Sequence, residues 1–279
     1  MVASVVTALP LARAERGDVR LRLASALVLA PLALALVWLG GPYFALLVIL
    51  AAAGMGWEWA RLTGCGPVLI AGLLMVATTL PSVVAALGMV RAGVVLGLAL
   101  AALVWAAASR VRGAAPTWAG LGAAWIALPC LACLWLDAAS GRSAVLWLFA
   151  TVWASDSGAF IAGRSLGGPR LAPRLSPNKT WAGALGGVLG TALVAAAFAW
   201  WLGAAVMLVV PAGIALGIAA QLGDLGESLA KRHFGVKDSS GLIPGHGGLL
   251  DRLDGMLAAA ALQALLTLAG GASPLAWQA

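Results

Sequence analysis

Half of the chain's acidic side chains lie between Gly223 and Gly255, in an otherwise apolar sequence. They are Asp224, Glu227, Asp238, Asp251 and Asp254. Both histidines, His233 and His246, fall in the same stretch, with Lys231, Arg232, Lys237 and Arg252. Paired carboxylates of this kind suit a hard cation such as Mg2+, which takes oxygen ligands and phosphate oxygens together. If a helix continues past Gly223, Asp224, Glu227, Ser228 and Lys231 share one face. Asp251 and Asp254, three apart, share a face at the start of the next helix, beside Arg252. The linking segment, Ile243-Pro244-Gly245-His246-Gly247-Gly248, has the glycine content that lets a backbone approach an anion closely. Plainer readings stand beside these: Glu227 and Lys231 form an i,i+4 surface salt bridge, and His246 caps a backbone carbonyl. No G-x-x-x-x-G-K-[ST] motif occurs, so a Walker-type nucleotidase is not supported.

Two further segments carry candidate groups. Asp156 lies in the apolar run LWLFATVWASDSGAFIAGR. A carboxylate at membrane depth costs several kcal/mol unless it is paired or faces water. Asp156 therefore reads either as an interhelical hydrogen-bonding group or as the lining of a cavity open to the cytoplasm, the latter favoured. In Ser176-Pro177-Asn178-Lys179-Thr180-Trp181, serine followed by proline predicts a helix start, with Ser176 as N-cap. Free N–H groups there, together with Lys179, would receive a phosphate. The alternative is that Lys179 is an interfacial anchor.

The elements that position these groups are membrane spans. The 279 residues are 62% hydrophobic and 10% charged, against about 25% charged in soluble domains. Apolar stretches of about 20 residues cross a bilayer. Nine are predicted, at about 23–40, 42–60, 67–89, 92–109, 118–137, 143–163, 181–203, 204–222 and 252–270, giving an all-α polytopic integral membrane protein. With the N-terminus in the cytoplasm, every one of the 17 basic residues except Arg91 and Arg142 falls on the cytoplasmic side, as the positive-inside bias requires. The net charge of +7 is thereby explained by basic loops near anionic lipid, with no nucleic-acid partner. Many of the 13 tryptophans, such as Trp38, Trp57, Trp59 and Trp181, lie near span ends. Residues 1–21 read as a cytosolic arm and 22–279 as one membrane-embedded domain, its catalytic part at about 150–256. Cys130 and Cys133 sit in an apolar run with no activating base, which favours packing over redox chemistry.

The polar stretch resembles the phosphatidate cytidylyltransferases, or CDP-diacylglycerol synthases. The resemblance rests on Ser228-x-x-Lys231-Arg232, Lys237-Asp238, His246-Gly247-Gly248 and Asp251-Arg252-x-Asp254 at the family's spacing. Gly223–Ser228, Trp153-x-x-Asp156 and Ser176-Pro177-x-Lys179-Thr180-Trp181 extend it. Arg22–Ala26 and Trp57-Glu58-Trp59 extend it more weakly. Ala230, Phe160 and Ala182 depart from the common pattern, and Phe160 removes a phenolic hydroxyl.

This resemblance implies transfer of a cytidylyl group from CTP to phosphatidate, with Mg2+ and room for a second cation. Asp224 and Asp251 would be the leading metal ligands, with Asp254 and Asp156 next. Lys231, Arg232, Lys237 and Arg252 would hold phosphates, and Ser176, Lys179, Thr180, Ser228, His246, Gly247 and Gly248 would bind substrate. Glu227 and Asp238 would orient the basic groups. It also implies a bacterial inner-membrane location, a cytoplasm-facing site, lipid contacts and room for a homodimer. The rivals are another CTP-using membrane lipid enzyme, such as a polyisoprenoid kinase, and, of a different class, a transporter. Charges clustered on one side argue against the transporter.

Overall fold

A computed structural model describes residue 25 and residues 27–64, 68–243 and 247–277. The 1–21 arm, Cys65 and His246 lie outside the described residues. Nine helices occur among those described: α1 (Leu27–Leu39), α2 (Gly41–Leu62), α3 (Val68–Ala86), α4 (Val90–Ala108), α5 (Pro116–Ser140), α6 (Arg142–Leu166), α7 (Trp181–Leu202), α8 (Val206–His233) and α9 (Leu250–Ala269). All but α1 are long and apolar enough to span a bilayer. The expected all-α polytopic fold is therefore present, and α1 is the shorter described part of the first expected span.

Turns fall where the backbone needs a residue without Cβ. Gly40 and Gly41 both take positive φ between α1 and α2. Gly203, at φ +67°, closes α7 so tightly that α8 begins three residues later. Consecutive long helices thus alternate in direction. The C-terminal ends of α2, α4, α6 and α8 meet the N-terminal ends of α3, α5, α7 and α9 at one end of the bundle. Among the described basic residues, only Arg91 and Arg142 belong to the opposite end. That opposite end is tied by Asp137, which accepts from the Gly41 amide at 3.1 Å, and by Arg142, which donates to the Trp38 carbonyl at 2.9 Å.

Two differences from the expected elements matter. The eighth helix does not stop near residue 222. It runs to His233, carrying Asp224 through Lys231 on a continuous rod. The segment expected to start a helix at Ser176 instead forms a hairpin, with β1 (Arg170–Ala172) antiparallel to β2 (Ser176–Thr180). Pairing of Arg170 with Thr180 and of Ala172 with Ser176 keeps this stretch extended. Thr180, not Ser176, caps α7: its hydroxyl accepts from the Gly183 amide at 3.0 Å. A local serine–proline signal lost to strand pairing, and the threonine immediately before the apolar run took over the cap.

Small residues set how closely the helices pack. The α6–α7 contact is the most extensive, and it is backbone on backbone. A Cβ on Gly190 would lie 2.5 Å from the Ala154 carbonyl, and one on Gly186 would lie 2.6 Å from that of Gly158. In a membrane such packing replaces the hydrophobic drive that water supplies elsewhere. The helix α9 lies between the two halves, touching α2, α5, α6 and α8. Cys130 and Cys133 are buried and unpaired, as packing residues should be.

Gly190→Val is expected to push α7 off α6 and cost about 1–3 kcal/mol, the usual scale of overpacking. Thermal unfolding in detergent should show it, and an unchanged Tm would refute the close approach.

Candidate active site

Two glycines bring the polar ends of α8 and α9 together. A Cβ on Gly223 would lie 2.6 Å from the Asp254 carbonyl, and one on Gly255 would lie 3.1 Å from that of Ala220. The residue beside each of these glycines is an aspartate, Asp224 or Asp254, so close crossing of the backbones sets two carboxylates side by side. The charge of Asp224 bears on both Asp254 and Asp156. Gly187 performs the same service on α7. It leaves room for Gln221 of α8, which donates to the Ser155 hydroxyl at 3.4 Å and to the Ala184 carbonyl at 3.2 Å, next to Asp156.

Two lysines answer these acids. Lys179, delivered by the hairpin, pairs with Asp224 at 2.6 Å, and both side chains are partly open to solvent. Lys231 is buried. Its ammonium lies 2.5 Å from Glu227, one turn back on α8, and 2.6 Å from Asp251 on α9. The interfacial lysine and the surface salt bridge considered from sequence are therefore both parts of one cluster. Ser228 donates to Asp224 at 3.4 Å, and Arg252 joins Lys179 as a basic neighbour of Asp156.

Asp251 is heavily engaged. Besides Lys231 it accepts from the Gly248 amide at 2.8 Å, the Ser239 amide at 3.0 Å and the Ser239 hydroxyl at 3.1 Å. It thus ties the loop before α9 to α8. Gly248 is forced by this geometry, because a Cβ there would lie 3.0 Å from Asp251 and nearer still to the Ser239 hydroxyl. Gly247 takes φ +84° and pairs with Ile243 across the loop.

The remaining expected residues divide. Arg232 spends donors on the carbonyls of Leu175 and Val236, at 3.3 and 3.1 Å, and so anchors the hairpin to the end of α8. Lys237 and Asp238 are exposed on the loop, and Ser176 opens β2. One group was missed: Glu58 of α2, fully buried. It accepts from the amides of Leu249 and Leu250 at 2.7 and 2.6 Å, and from the hydroxyls of Ser240 and Ser239 at 2.5 and 3.3 Å. The signal that singled out Asp156, a carboxylate within an apolar span, applied equally to Glu58.

Among the described residues, no three acidic, histidine or cysteine side chains form a ready cation cage. Mg2+ seldom needs one, since it binds through one or two carboxylates plus substrate phosphates. Asp224, with Asp156 or Asp254, fits that mode. Carboxylates and lysines clustered at one end of a bundle long enough to span a bilayer suit an integral membrane enzyme that works on phosphate groups.

The comparisons narrow the class. Residues 20–269 match the cytidylyltransferase family, and the chain belongs to it. It is 38% identical to the phosphatidate cytidylyltransferase of Brucella suis biovar 1 (strain 1330) over 264 residues, covering 88% of this chain and 92% of that one. The phosphatidate cytidylyltransferase of Brucella melitensis biotype 1 is 37% identical over the same shares. That of Haemophilus influenzae is 42% identical over 132 residues, 44% of this chain and 45% of its own.

Lys231→Met should strand two carboxylates and destabilise the fold by about 3–5 kcal/mol, the scale for breaking a buried pair on one side. Adding Glu227→Gln should recover part of that loss in thermal unfolding. Strict additivity of the two changes would disprove the pairing.

Proposed function

We propose that this protein transfers the cytidylyl group of CTP to phosphatidate, giving CDP-diacylglycerol and pyrophosphate. The observation that carries this reading is the convergence of Asp156, Lys179, Asp224, Lys231, Asp251 and Asp254 at one end of a membrane bundle, in a chain of this family. The basic residues share that end, which supports a site on the cytoplasmic face of a bacterial inner membrane. CTP then arrives from the cytosol and the lipid from the bilayer. A cavity of about 430 Å³ supports the lipid side. Trp59, Trp118, Leu121, Trp125 and Leu128 line it, and it reaches Glu227 of the site.

The chemistry follows from charge. A phosphatidate oxygen is already anionic, so it attacks the α-phosphorus of CTP without a general base. The new P–O bond forms as the α–β bridging bond breaks, and its electron pair leaves with pyrophosphate. The obstacle is repulsion between two polyanions. Lys179 and Lys231 hold positive charge where the phosphates meet, and Asp224 with Asp156 or Asp254 would hold Mg2+. A bound divalent ion supplies charge neutralisation at the transferring and leaving oxygens. Lys179 is partly exposed and pairs with Asp224, so its ammonium is placed to turn toward a substrate phosphate.

Full-length protein given phosphatidate, labelled CTP and Mg2+ should yield CDP-lipid and pyrophosphate. Absence of product across lipids and metals would sink the proposal, and release of CDP would point to a lipid kinase instead. Asp224→Asn should lower turnover at least about 100-fold, the scale of losing one partner for transition-state charge, while Tm stays close to wild type.

A further inference from the structure

Glu58 stands apart from the acids of the cluster. It is 0% exposed, and no basic side chain pairs with it among the described residues. It belongs to α2, in the other half of the bundle from α7 and α8, and α2 touches α9 over only a short contact. Its two oxygens nevertheless lie within hydrogen-bond distance of four donors from one place. Oε1 takes the Ser240 hydroxyl and the Leu249 amide, and Oε2 takes the Leu250 amide and the Ser239 hydroxyl. Leu249 and Leu250 begin α9, whose first amides have no partner within the helix. No side chain near α9 in sequence caps these two amides. The cap comes from about 190 residues away. Gly54, one turn before Glu58, clears the approach. A Cβ there would lie 2.9 Å from the Leu249 side chain.

The cap is linked to Asp251 through shared groups. A Cβ on Gly248 would sit 2.9 Å from Glu58 Oε1 and 3.0 Å from Asp251 Oδ2, so one glycine fills the gap between the two carboxylates. The Ser239 hydroxyl lies 3.3 Å from Glu58 and 3.1 Å from Asp251. It has one hydrogen to give, so only one of them receives it at a time. A shift of Glu58 therefore moves the Gly248 amide and the Ser239 hydroxyl, and both of these set the orientation of Asp251. Asp251 and Asp254 ride on the helical turn that Glu58 holds.

We infer that Glu58 is a positioning residue for the transfer reaction. It caps α9 from α2 and fixes the first turn of α9, with Asp251 and Asp254, against α8. This rests on the proposed cytidylyl transfer. A capping residue of purely structural value would affect stability alone. A positioning residue affects the rate of the bound complex, because misplacement by about 1 Å far from the reacting atoms costs on the order of 100-fold.

The test uses the full-length protein in phosphatidate-containing micelles with CTP and Mg2+. Glu58→Gln keeps the shape but turns one acceptor oxygen into a donor facing another donor. Its kcat should fall about 100-fold, with KM for CTP and for phosphatidate each within about threefold of wild type, the pattern of an interaction needed in the transition state. Hydrogen exchange should quicken in residues 247–255 and stay unchanged in α3 and α4. A kcat within about threefold of wild type, unchanged exchange in residues 247–255, or loss of protection throughout the bundle would each overturn the inference. If Glu58→Gln does not accumulate as folded protein, Ser240→Ala removes one of the four donors. It should show the same pattern at about tenfold in kcat, and a Ser240→Ala protein with wild-type kcat and exchange would overturn it equally. The exchange measurement needs no turnover. An inactive wild type would therefore remove the proposed reaction while leaving the link between Glu58 and α9 open to measurement.

Discussion

The ammonium of Lys231 is the group on which the arrangement turns. Taking a lysine out of water costs several kcal/mol, and one carboxylate seldom offsets it. Lys231 meets two, Glu227 at 2.5 Å on its own helix and Asp251 at 2.6 Å on the next. The first contact is local and would exist in an isolated helix. The second joins α8 to α9 and cannot form unless both are in register. The close crossing at Gly223 and Gly255 makes that register possible. Glycine and charge thus act together: one allows the helices to approach, and the other gives the approach a fixed phase. The loop between them inherits its shape from the same carboxylate, since Asp251 also holds Ser239 and Gly248.

The hydrocarbon explains why the charged groups keep to the ends of the bundle. No water deep in the bilayer can satisfy a stray carboxylate, and the described acids outside the site cluster are few. Asp137 is spent at the opposite end on the Gly41 amide, and Glu58 on the start of α9. A transporter would need polar groups at successive depths. Here Gln221 and Ser155 lie beside the cluster, and Gln263, deeper in α9, donates to the Ala144 carbonyl. These tie helices to each other and make no path across the membrane.

Much of this was legible in the sequence because it follows from periodicity. Apolar runs of span length marked the helices, and the spacing of Asp224, Glu227, Ser228 and Lys231 marked a shared face. Lys179 was legible as a cation, but its partner was not, because a hairpin rather than a helix cap carries it to Asp224. Ser176 was misread for the same reason: cross-strand pairing is non-local and leaves no trace in a serine–proline dipeptide. Arg232 was legible as a cation beside the cluster, but its hold on the carbonyls of Leu175 and Val236 was not, because only the fold brings the hairpin to the end of α8. Glu58 was hidden by distance along the chain. Its four donors are serines and leucine amides, which carry no charge pattern to search for.

The separation between Glu58 and its donors, 181 to 192 residues, has a consequence for biosynthesis. A ribosome working at 5–20 residues per second needs roughly 10–40 s to span that interval. Throughout it, the carboxylate of α2 has nothing from α9 to hold. The position of Glu58 near the end of α2, one turn before Leu62, keeps it within reach of interfacial water during the wait. In the folded protein Glu58 is fully buried against the start of α9, so this contact cannot close before α9 has been made. A nascent chain that stalls before Leu249 carries every residue from Asp156 to Lys231 and still has no finished site.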